Sequence, residues 1–177
     1  LLKEVVLIPG KEGVFVPGTY TGGYVADYWS PGLRSAVVDR NNKVWIATFG
    51  TMMLYRLDGY SGAIEACFST NSVEHHGYTA TIDRDGIMWS VDRPDHELVR
   101  FDITKPVPEM SLFRNIDGYG VAAGDSDGVY LSGGAANTIT RFNRRTLTVD
   151  WVAPSPMSAR GVGLVNDSTI WVVGSGS

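Results

Sequence analysis

All three histidines of the chain lie in two short acidic segments. Glu74–Gly77 contains His75 and His76, and Asp92–Glu97 contains His96. Imidazole and carboxylate groups together can bind a metal ion or transfer a proton. If both segments open on one rim of the fold, all three histidines cluster there. The catalytic candidates are then His76, His96, Asp92 and Glu74. The alternative is a pair of solvated surface loops.

Two arginines and two tyrosines recur at a fixed spacing and could hold a ligand. Their separations are 44, 41 and 41 residues, and they are Arg34, Tyr78, Tyr119 and Arg160. Guanidinium and phenol groups can bind an anion or a sugar. We therefore predict a site for a protein, a carbohydrate or a small anionic ligand at these positions. The alternative is packing and water contact along a channel.

These candidates belong to an internal repeat, which is marked by aromatic residues in short apolar segments. The aromatic positions are again 44, 41 and 41 residues apart: Trp45, Trp89, Tyr130 and Trp171. An arginine follows each of the first three at one distance: Arg56, Arg100 and Arg141. Such periodicity is typical of repeat folds.

Each repeat predicts four short antiparallel strands. The first strand is rich in small residues and ends in a turn such as Asp39–Asn42 or Asp83–Gly86, and Asp, Asn and Gly favour tight hairpins. Four strands per repeat of about 40 to 45 residues form one propeller blade. The predicted fold is all-β: a β-propeller of four-stranded antiparallel blades, with three full blades and one split or partial blade. A first strand rich in small residues fits the crowded space around the central axis of a propeller. The aromatic residues of the second strands fill the space between neighbouring blades.

The predicted blades are approximately 32–70, 77–115, 118–153 and 160–174. Residues 1–31 are predicted to supply strands that complete a blade, followed by an entry loop, and residues 32–177 hold the blades. If both ends share one blade, the chain closes as a four-bladed ring. Otherwise it is part of a larger propeller, which is the interpretation we favour.

The repeat resembles the virginiamycin B lyase-like propellers and, less closely, the NHL and gluconolactonase-like propellers. Ile82–Trp89 and Val99–Asp102 carry the resemblance best. It is a resemblance of blades, so it implies the fold more than the activity. It also implies an exported protein, which is extracellular, periplasmic or lipid-anchored.

The lyase family places a histidine just before the first strand of a blade and a glutamate three residues after the tryptophan. Here Tyr78 holds the histidine position, with His76 two residues earlier, and the shorter Asp92 holds the glutamate position. The family's second catalytic histidine is expected from a neighbouring blade, where this chain has Arg34, Tyr119 or Arg160. These departures weigh against lyase chemistry.

Composition excludes several classes of function. Lys and Arg number 15 against 19 Asp and Glu, a net charge of −4 that does not suit nucleic-acid binding. No apolar run approaches the roughly 18 residues of a transmembrane segment. Cys67 is the single cysteine, so the chain has no internal disulfide, and we predict that it is buried in a strand. We predict no metal and no cofactor; magnesium or calcium would be needed only if the chain were an enzyme.

Three classes of function remain. We favour a non-enzymatic binding or scaffold module, with its ligand or partner site on the face at the mouth of the central channel, where the candidate residues are predicted to lie. The alternatives are a lyase- or lactonase-like enzyme that uses the His and carboxylate rim, and a structural subunit that assembles with further blades or chains. A Gly-rich aromatic segment is either a carbohydrate or protein contact or a cap over the core: Tyr20, Tyr24, Tyr28 and Trp29.

Overall fold

A computed structural model of the 177-residue chain describes residues 6–7, 15–16, 33–124, 126–166 and 169–175. The chain divides into two compact units, residues 1–77 and 78–177. The aromatic segment at residues 20–29 lies outside the described residues. None of the helices in the described part is long and apolar enough to cross a membrane.

The first unit contains one complete four-stranded antiparallel sheet. Its strands, in spatial order, are β3 (Leu33–Val38), β4 (Lys43–Thr48), β5 (Met53–Asp58) and β6 (Ile64–Ser69). A short 3-10 helix, Asn71–Val73, follows. In the N-terminal segment, β1 (Val6–Leu7) pairs with β2 (Phe15–Val16).

The second unit contains two complete sheets and a two-stranded one. The first complete sheet is formed by β7 (Thr79–Ile82), β8 (Ile87–Asp92), β9 (Glu97–Asp102) and β10 (Glu109–Arg114). The second is formed by β11 (Gly120–Ala123), β12 (Gly128–Ser132), β13 (Thr138–Asn143) and β14 (Thr148–Pro154). The last described sheet pairs β15 (Ser158–Asn166) with β16 (Thr169–Ser175).

The strand register confirms the sequence repeat. Trp45 pairs with Arg56 across β4 and β5, Trp89 pairs with Arg100, and Tyr130 pairs with Arg141. Trp171 occupies the same position in β16, opposite Gly163 of β15. The predicted all-β propeller of four-stranded blades, with a partial last blade, is therefore confirmed.

The repeated aromatic residues differ in burial. Trp45 and Trp89 are each 1% exposed and Tyr130 is 6% exposed, whereas Trp171 is 68% exposed. Burial of a tryptophan contributes about 4 to 6 kcal/mol by its apolar area, as an upper value. Trp171 lacks this burial because the sheet that carries it has only two strands in the described part of the chain. Trp171 therefore matches the other three aromatic residues in backbone position, as predicted, but differs from them in burial.

First strands of the second unit are rich in small residues because they pack closely. β7 lies against β11, and β11 lies against β15. A Cβ added to Gly120 would come within 2.8 Å of the Arg160 carbonyl oxygen and 3.1 Å of Gly161 Cα. Glycine is therefore needed at Gly120 for close approach of the backbones, as the sequence predicted for these strands.

An aspartate in the turn after the first strand fixes both the turn and the tryptophan. In the second unit, Asp83 Oδ1 accepts hydrogen bonds from the backbone N–H groups of Asp85 and Ile87. The Trp89 indole N–H donates to Asp83 Oδ2 at 2.9 Å. In the first unit, Trp45 donates to Asp39 in the same way at 2.9 Å. The turn thus has the hairpin role that the sequence predicted, and it also holds the tryptophan ring.

The two complete sheets of the second unit are joined through aromatic rings and a buried ion pair. The Phe142 ring lies 5.7 Å from Trp89 and 4.9 Å from Phe113. Arg144 Nη1 lies 2.9 Å from Asp83 Oδ2, with both side chains almost fully buried. The carboxylate that holds the tryptophan therefore also binds the next sheet.

The prediction that Cys67 is buried is wrong. Cys67 lies in a strand, as expected, but it is exposed in β6 opposite Tyr55. β6 is the outer strand of its sheet, and its burial alternates along the strand. An apolar residue between Ala66 and Phe68 indicated a strand correctly but could not show which strand of the sheet it was.

Candidate functional site

Tyr78 and Tyr119 come to one place because each directly precedes the first strand of its sheet. The Tyr78 backbone N–H donates to the Val91 carbonyl at 3.0 Å, which continues the pairing of β7 with β8. The Thr79 hydroxyl donates to the Tyr119 carbonyl at 2.8 Å and links the two strand starts. The rings meet edge to face, with centroids 4.9 Å apart at 75°.

Two guanidinium groups lie over these rings. Arg93 Cζ is 5.2 Å from the Tyr119 centroid and 5.9 Å from that of Tyr78. Arg160 Cζ is 5.7 Å from the Tyr119 centroid. We call Tyr78, Tyr119, Arg93 and Arg160 the arginine–tyrosine cluster. The structure thus brings together three of the predicted ligand residues and adds Arg93.

Sequence reasoning missed Arg93, although it placed the surrounding loop on the candidate face. Arg93 directly follows β8 in the loop to β9, whereas the other cluster residues lie at the beginning of first strands. The sequence signal for Arg93 was its place in the loop after the second strand. This loop opens beside the residues that precede the first strand, where the other cluster residues lie.

The backbone at Arg160 is a β-bulge. Ala159 pairs with Gly174 and Gly161 pairs with Val173, so Arg160 has no partner residue in β16. Bulges redirect a side chain out of the regular alternation. Arg160 is exposed, in contrast to the buried Ala159 before it.

The ion pairs of the second unit distinguish the two cluster arginines from the rest. Six other arginines lie within 4.0 Å of a carboxylate: Arg84, Arg100, Arg114, Arg141, Arg144 and Arg145. Within described residues 78–175, Arg93 and Arg160 have no such carboxylate. Each of the two guanidinium groups instead lies over the Tyr119 ring, an attraction of about 0.5 to 1 kcal/mol at exposed sites.

Arg34 occupies the corresponding position in the first unit and is also at a bulge, between Leu33 and Ser35. Its Cζ lies 5.6 Å from the Phe49 ring. The His76 ring is 5.5 Å from the same Phe49 ring, and His76 Nδ1 is 2.7 Å from the Phe49 carbonyl oxygen. A carbonyl oxygen only accepts a hydrogen bond, so the His76 ring donates this one from its Nδ1–H group. Arg34 and His76, which the sequence assigned to different candidate sites, thus share Phe49.

Glu74 and His75 have different surroundings from His76. Glu74 is exposed and ends the 3-10 helix with a left-handed φ of 49°. His75 is buried, and its burial lowers its pKa from 6.5 to about 3. The expectation that all three histidines line a rim therefore fails for His75, which is a neutral core residue.

The remaining candidates belong to the β8–β9 hairpin of the second unit. Asp92 ends β8, pairs with Glu97 and is fully buried. His96 is exposed at a left-handed φ of 54°, and its Nδ1 lies 3.0 Å from Asp117 Oδ1. This hairpin can supply carboxylates and one imidazole, and its place as a catalytic site stays a prediction.

Comparison with known proteins identifies the fold. No protein-family model matches the chain, and no curated protein sequence is significantly similar to it. The chain is similar to a crystal structure of virginiamycin B lyase from Staphylococcus aureus, with TM-score 0.68 and 17% identity over 80% of this chain and 48% of the lyase. A streptogramin B lyase structure matches with TM-score 0.69 and 14% identity over 80% of this chain and 47% of that protein.

Other propellers match nearly as well. BamB from Moraxella catarrhalis has TM-score 0.60 and 16% identity, over 79% of this chain and 43% of BamB. The predicted resemblance of blades is confirmed by these structures. The chain spans about half the length of the solved structures it matches, so the likeness identifies the fold and leaves the activity to be proposed.

Proposed function

We propose that the chain is a β-propeller binding module whose ligand site is the arginine–tyrosine cluster. The observation that carries the proposal is the pair of arginines, Arg93 and Arg160, beside one tyrosine ring. Their guanidinium carbons lie 5.2 and 5.7 Å from the Tyr119 centroid. Within described residues 78–175, no carboxylate oxygen lies within 4.0 Å of either guanidinium group.

The chemistry of the cluster favours an anionic or hydroxyl-rich ligand. Guanidinium groups bind carboxylate, sulfate and phosphate oxygens through paired hydrogen bonds. The partly exposed ring of Tyr119 can add apolar contact with a sugar or a planar group beside the two guanidinium groups. A small acidic sugar combines both features, and an acidic side chain of a protein partner would use the same guanidinium groups.

The test is a titration with inorganic phosphate and with glucuronate, using glucose as the uncharged comparison. We expect glucuronate to bind more tightly than glucose. Arg93→Ala and Arg160→Ala should each weaken glucuronate binding by about tenfold, the usual effect of losing a hydrogen bond to a charged group. Arg84→Ala is the matched control, because Arg84 is exposed and pairs with Asp85 at 3.8 Å.

The melting temperature separates a binding role from a structural one. Arg93 and Arg160 are exposed, so their removal should leave the melting temperature nearly unchanged. Equal affinity for glucose and glucuronate, or a loss of several degrees without a change in binding, would contradict the proposal.

A lyase-like enzyme is the second candidate, supported by the fold likeness to two lyases and by two acidic residues. Carboxylate oxygens of Asp92 and Asp95 lie within 4.8 Å of each other in the β8–β9 hairpin. Oxygen ligands of this kind suit magnesium, which would supply Lewis-acid stabilisation of developing negative charge. In this arrangement Asp92 and Asp95 would hold the ion.

The enzyme candidate is tested with quinupristin, which was bound to a catalytically inactive variant of the Staphylococcus aureus lyase. Mass spectrometry should detect an altered product only if this chain acts on it, and Asp92→Asn should then abolish the reaction. An unchanged compound in the presence of magnesium would favour the binding module. Export from the cytoplasm also stays a prediction, to be checked by cell fractionation of the source organism.

A further inference from the structure

The loop that carries Arg93 is short and is constrained at both of its ends. It runs from Arg93 to His96, between Asp92 at the end of β8 and Glu97 at the beginning of β9, and these two flanking residues pair with each other. Pro94 follows Arg93 and disfavours a helical backbone there. His96 closes the loop with a left-handed φ of 54°, a conformation that is uncommon for residues other than glycine. The placement of Arg93 therefore depends on how His96 is held.

The backbone of this loop is held in the same way in all three complete sheets. The residue before or at the beginning of the third strand has a left-handed φ in each sheet: 50° at Met52, 54° at His96 and 52° at Asn137. Its carbonyl oxygen accepts a hydrogen bond from a backbone N–H group just beyond the fourth strand, and the donors are Thr70 at 2.8 Å, Ile116 at 2.8 Å and Ser155 at 2.7 Å. This arrangement belongs to the repeat and does not depend on the side chain, which differs at each position.

The His96 side chain adds a second hydrogen bond to the segment beyond the fourth strand. His96 Nδ1 lies 3.0 Å from Asp117 Oδ1, and an ionised carboxylate only accepts hydrogen bonds, so the imidazole donates this one. Asp117 lies two residues before Tyr119, the residue whose ring lies under Arg93. His96 thus ties the Arg93 loop to the Tyr119 segment through both its carbonyl oxygen and its ring.

The Tyr119 segment is itself held by the two neighbouring sheets. The Tyr119 backbone donates to the Ser132 carbonyl of β12 and accepts from the Thr79 hydroxyl of β7. Gly118 packs so closely that an added Cβ would lie 2.7 Å from Val91 Cγ1. A bond to this segment can therefore fix a loop whose own side chains are exposed.

We propose that His96 is a positioning residue of the ligand site: its bond to Asp117 holds the Arg93 guanidinium group over the Tyr119 ring. The proposal rests on the proposed function, because it assigns a role in ligand binding to a residue that does not itself bind the ligand. A guanidinium group that is already in place loses less conformational entropy when the ligand binds. Arg160 reaches the same ring from β15 and is independent of this loop.

Glucuronate affinity tests the proposal with two variants of residue 96. His96→Gly suits the left-handed backbone and removes the bond to Asp117, so we expect the dissociation constant to rise by about three- to fivefold, the range for an exposed ion pair. His96→Asn also tolerates this backbone and places an amide donor near the position of Nδ1, so it should keep the parent affinity. Met52→Gly is the matched control, because Met52 has the same backbone conformation in the first unit.

Double variants show which arginine His96 acts through. In an Arg93→Ala background, His96→Gly should leave the dissociation constant unchanged, whereas in an Arg160→Ala background it should raise the constant by the same factor as in the parent. In a parent that prefers glucuronate to glucose, unchanged affinity in His96→Gly, or equal effects in the two backgrounds, would overturn the proposal.

A measurement without ligand separates this proposal from the proposed function. Nuclear Overhauser effects between Arg93 side-chain protons and Tyr119 ring protons should be present in the parent and in His96→Asn, and weakened in His96→Gly. Contacts that persist in His96→Gly would overturn the positioning role, whether or not glucuronate binds. Contacts that are lost in His96→Gly, in a parent that binds glucose and glucuronate equally, would overturn the proposed function and leave the positioning of Arg93 by His96 standing.

Discussion

Asp83 connects three parts of the second unit through one carboxylate. Oδ1 accepts two backbone hydrogen bonds of its own turn, and Oδ2 accepts the Trp89 indole N–H and pairs with Arg144. In the next sheet, Tyr130 replaces the tryptophan, and its hydroxyl accepts from Arg141 Nε at 3.3 Å. A polar group therefore holds the aromatic residue in each of the three complete sheets: an aspartate holds Trp45 and Trp89, and an arginine holds Tyr130.

Arg144 tests the importance of this buried pair. We expect Arg144→Met to lower the free energy of unfolding by about 3 kcal/mol, because it leaves the buried Asp83 carboxylate without its cation. Arg145→Met is a neighbouring control, since Arg145 is exposed and its pair with Asp127 at 2.6 Å should contribute no more than about 1 kcal/mol. Urea denaturation measures both, and equal losses would contradict the role of Arg144.

His75 should make the protein sensitive to acid. Burial lowers its folded pKa from 6.5 to about 3, so the unfolded state binds a proton at a higher pH than the folded state does. The contribution of His75 to the free energy of unfolding is unaffected above pH 6.5 and falls as the pH decreases towards 3. At pH 5 the loss is about 2 kcal/mol relative to pH 7.

The variant His75→Gln removes this titration. We expect the difference in urea midpoint between pH 7 and pH 5 to shrink in His75→Gln, whatever its effect on stability at pH 7. His96→Gln is the control, because His96 is exposed. The same pH dependence in the parent and in His75→Gln would show that other groups cause the acid sensitivity.

At the scale of the elements, the first strands of the second unit set how closely the sheets approach. Gly120 and Gly163 both lie in first strands, in β11 and β15, and the structure gives them opposite surroundings. A Cβ on Gly120 would meet backbone atoms of the neighbouring strand at 2.8 and 3.1 Å. A Cβ on Gly163 would meet no heavy atom within 4 Å.

Alanine at the two glycines separates crowding from backbone entropy. Gly120→Ala should destabilise the chain by about 1 to 3 kcal/mol, because the backbone of β15 must move. Gly163→Ala should be neutral or slightly stabilising, since it only restricts the unfolded chain. Thermal unfolding of both variants measures the two effects. An unchanged melting temperature in Gly120→Ala would mean that β11 and β15 can move apart at little cost in free energy.

Much of this element structure could be predicted from the sequence because each repeat carries its own local signals. The spacing of Trp45, Trp89 and Tyr130 predicted the register, and the Asp turns predicted the hairpins. Burial was harder to predict, because it depends on neighbours that are distant in sequence. Trp171, Cys67 and His75 fit their local patterns and differed from expectation only in what covers them.

The residues of the candidate site also divide into those that local sequence signals predicted and those that depend on three-dimensional neighbours. Tyr78, Tyr119 and Arg160 were found because they repeat at the blade period. Arg93 was missed because it does not repeat and joins them through a loop. Arg93 and Arg160 form no ion pair within described residues 78–175, and this depends on three-dimensional neighbours that have no signature in the sequence.

At the scale of the whole molecule, the composition limits the sites that the chain can build. A structural zinc site usually takes four ligands from cysteine and histidine, and a catalytic site takes three. The chain has one cysteine and three histidines. Cys67 is exposed on an outer strand, and His75 is buried with a lowered pKa. Two histidines therefore remain, and any further ligands must be carboxylates, which favour magnesium or calcium over zinc.

We accordingly predict that the purified chain holds no tightly bound transition metal. Elemental analysis after dialysis should find far less than one equivalent of zinc. An ion that binds only the folded state raises the melting temperature, so added zinc should leave the melting temperature unchanged. His96→Ala is a suitable control, since His96 already faces Asp117. One equivalent of zinc that is lost in His76→Ala and kept in His96→Ala would overturn the prediction. It would place the metal at His76, in the first unit, and would favour the enzyme over the binding module.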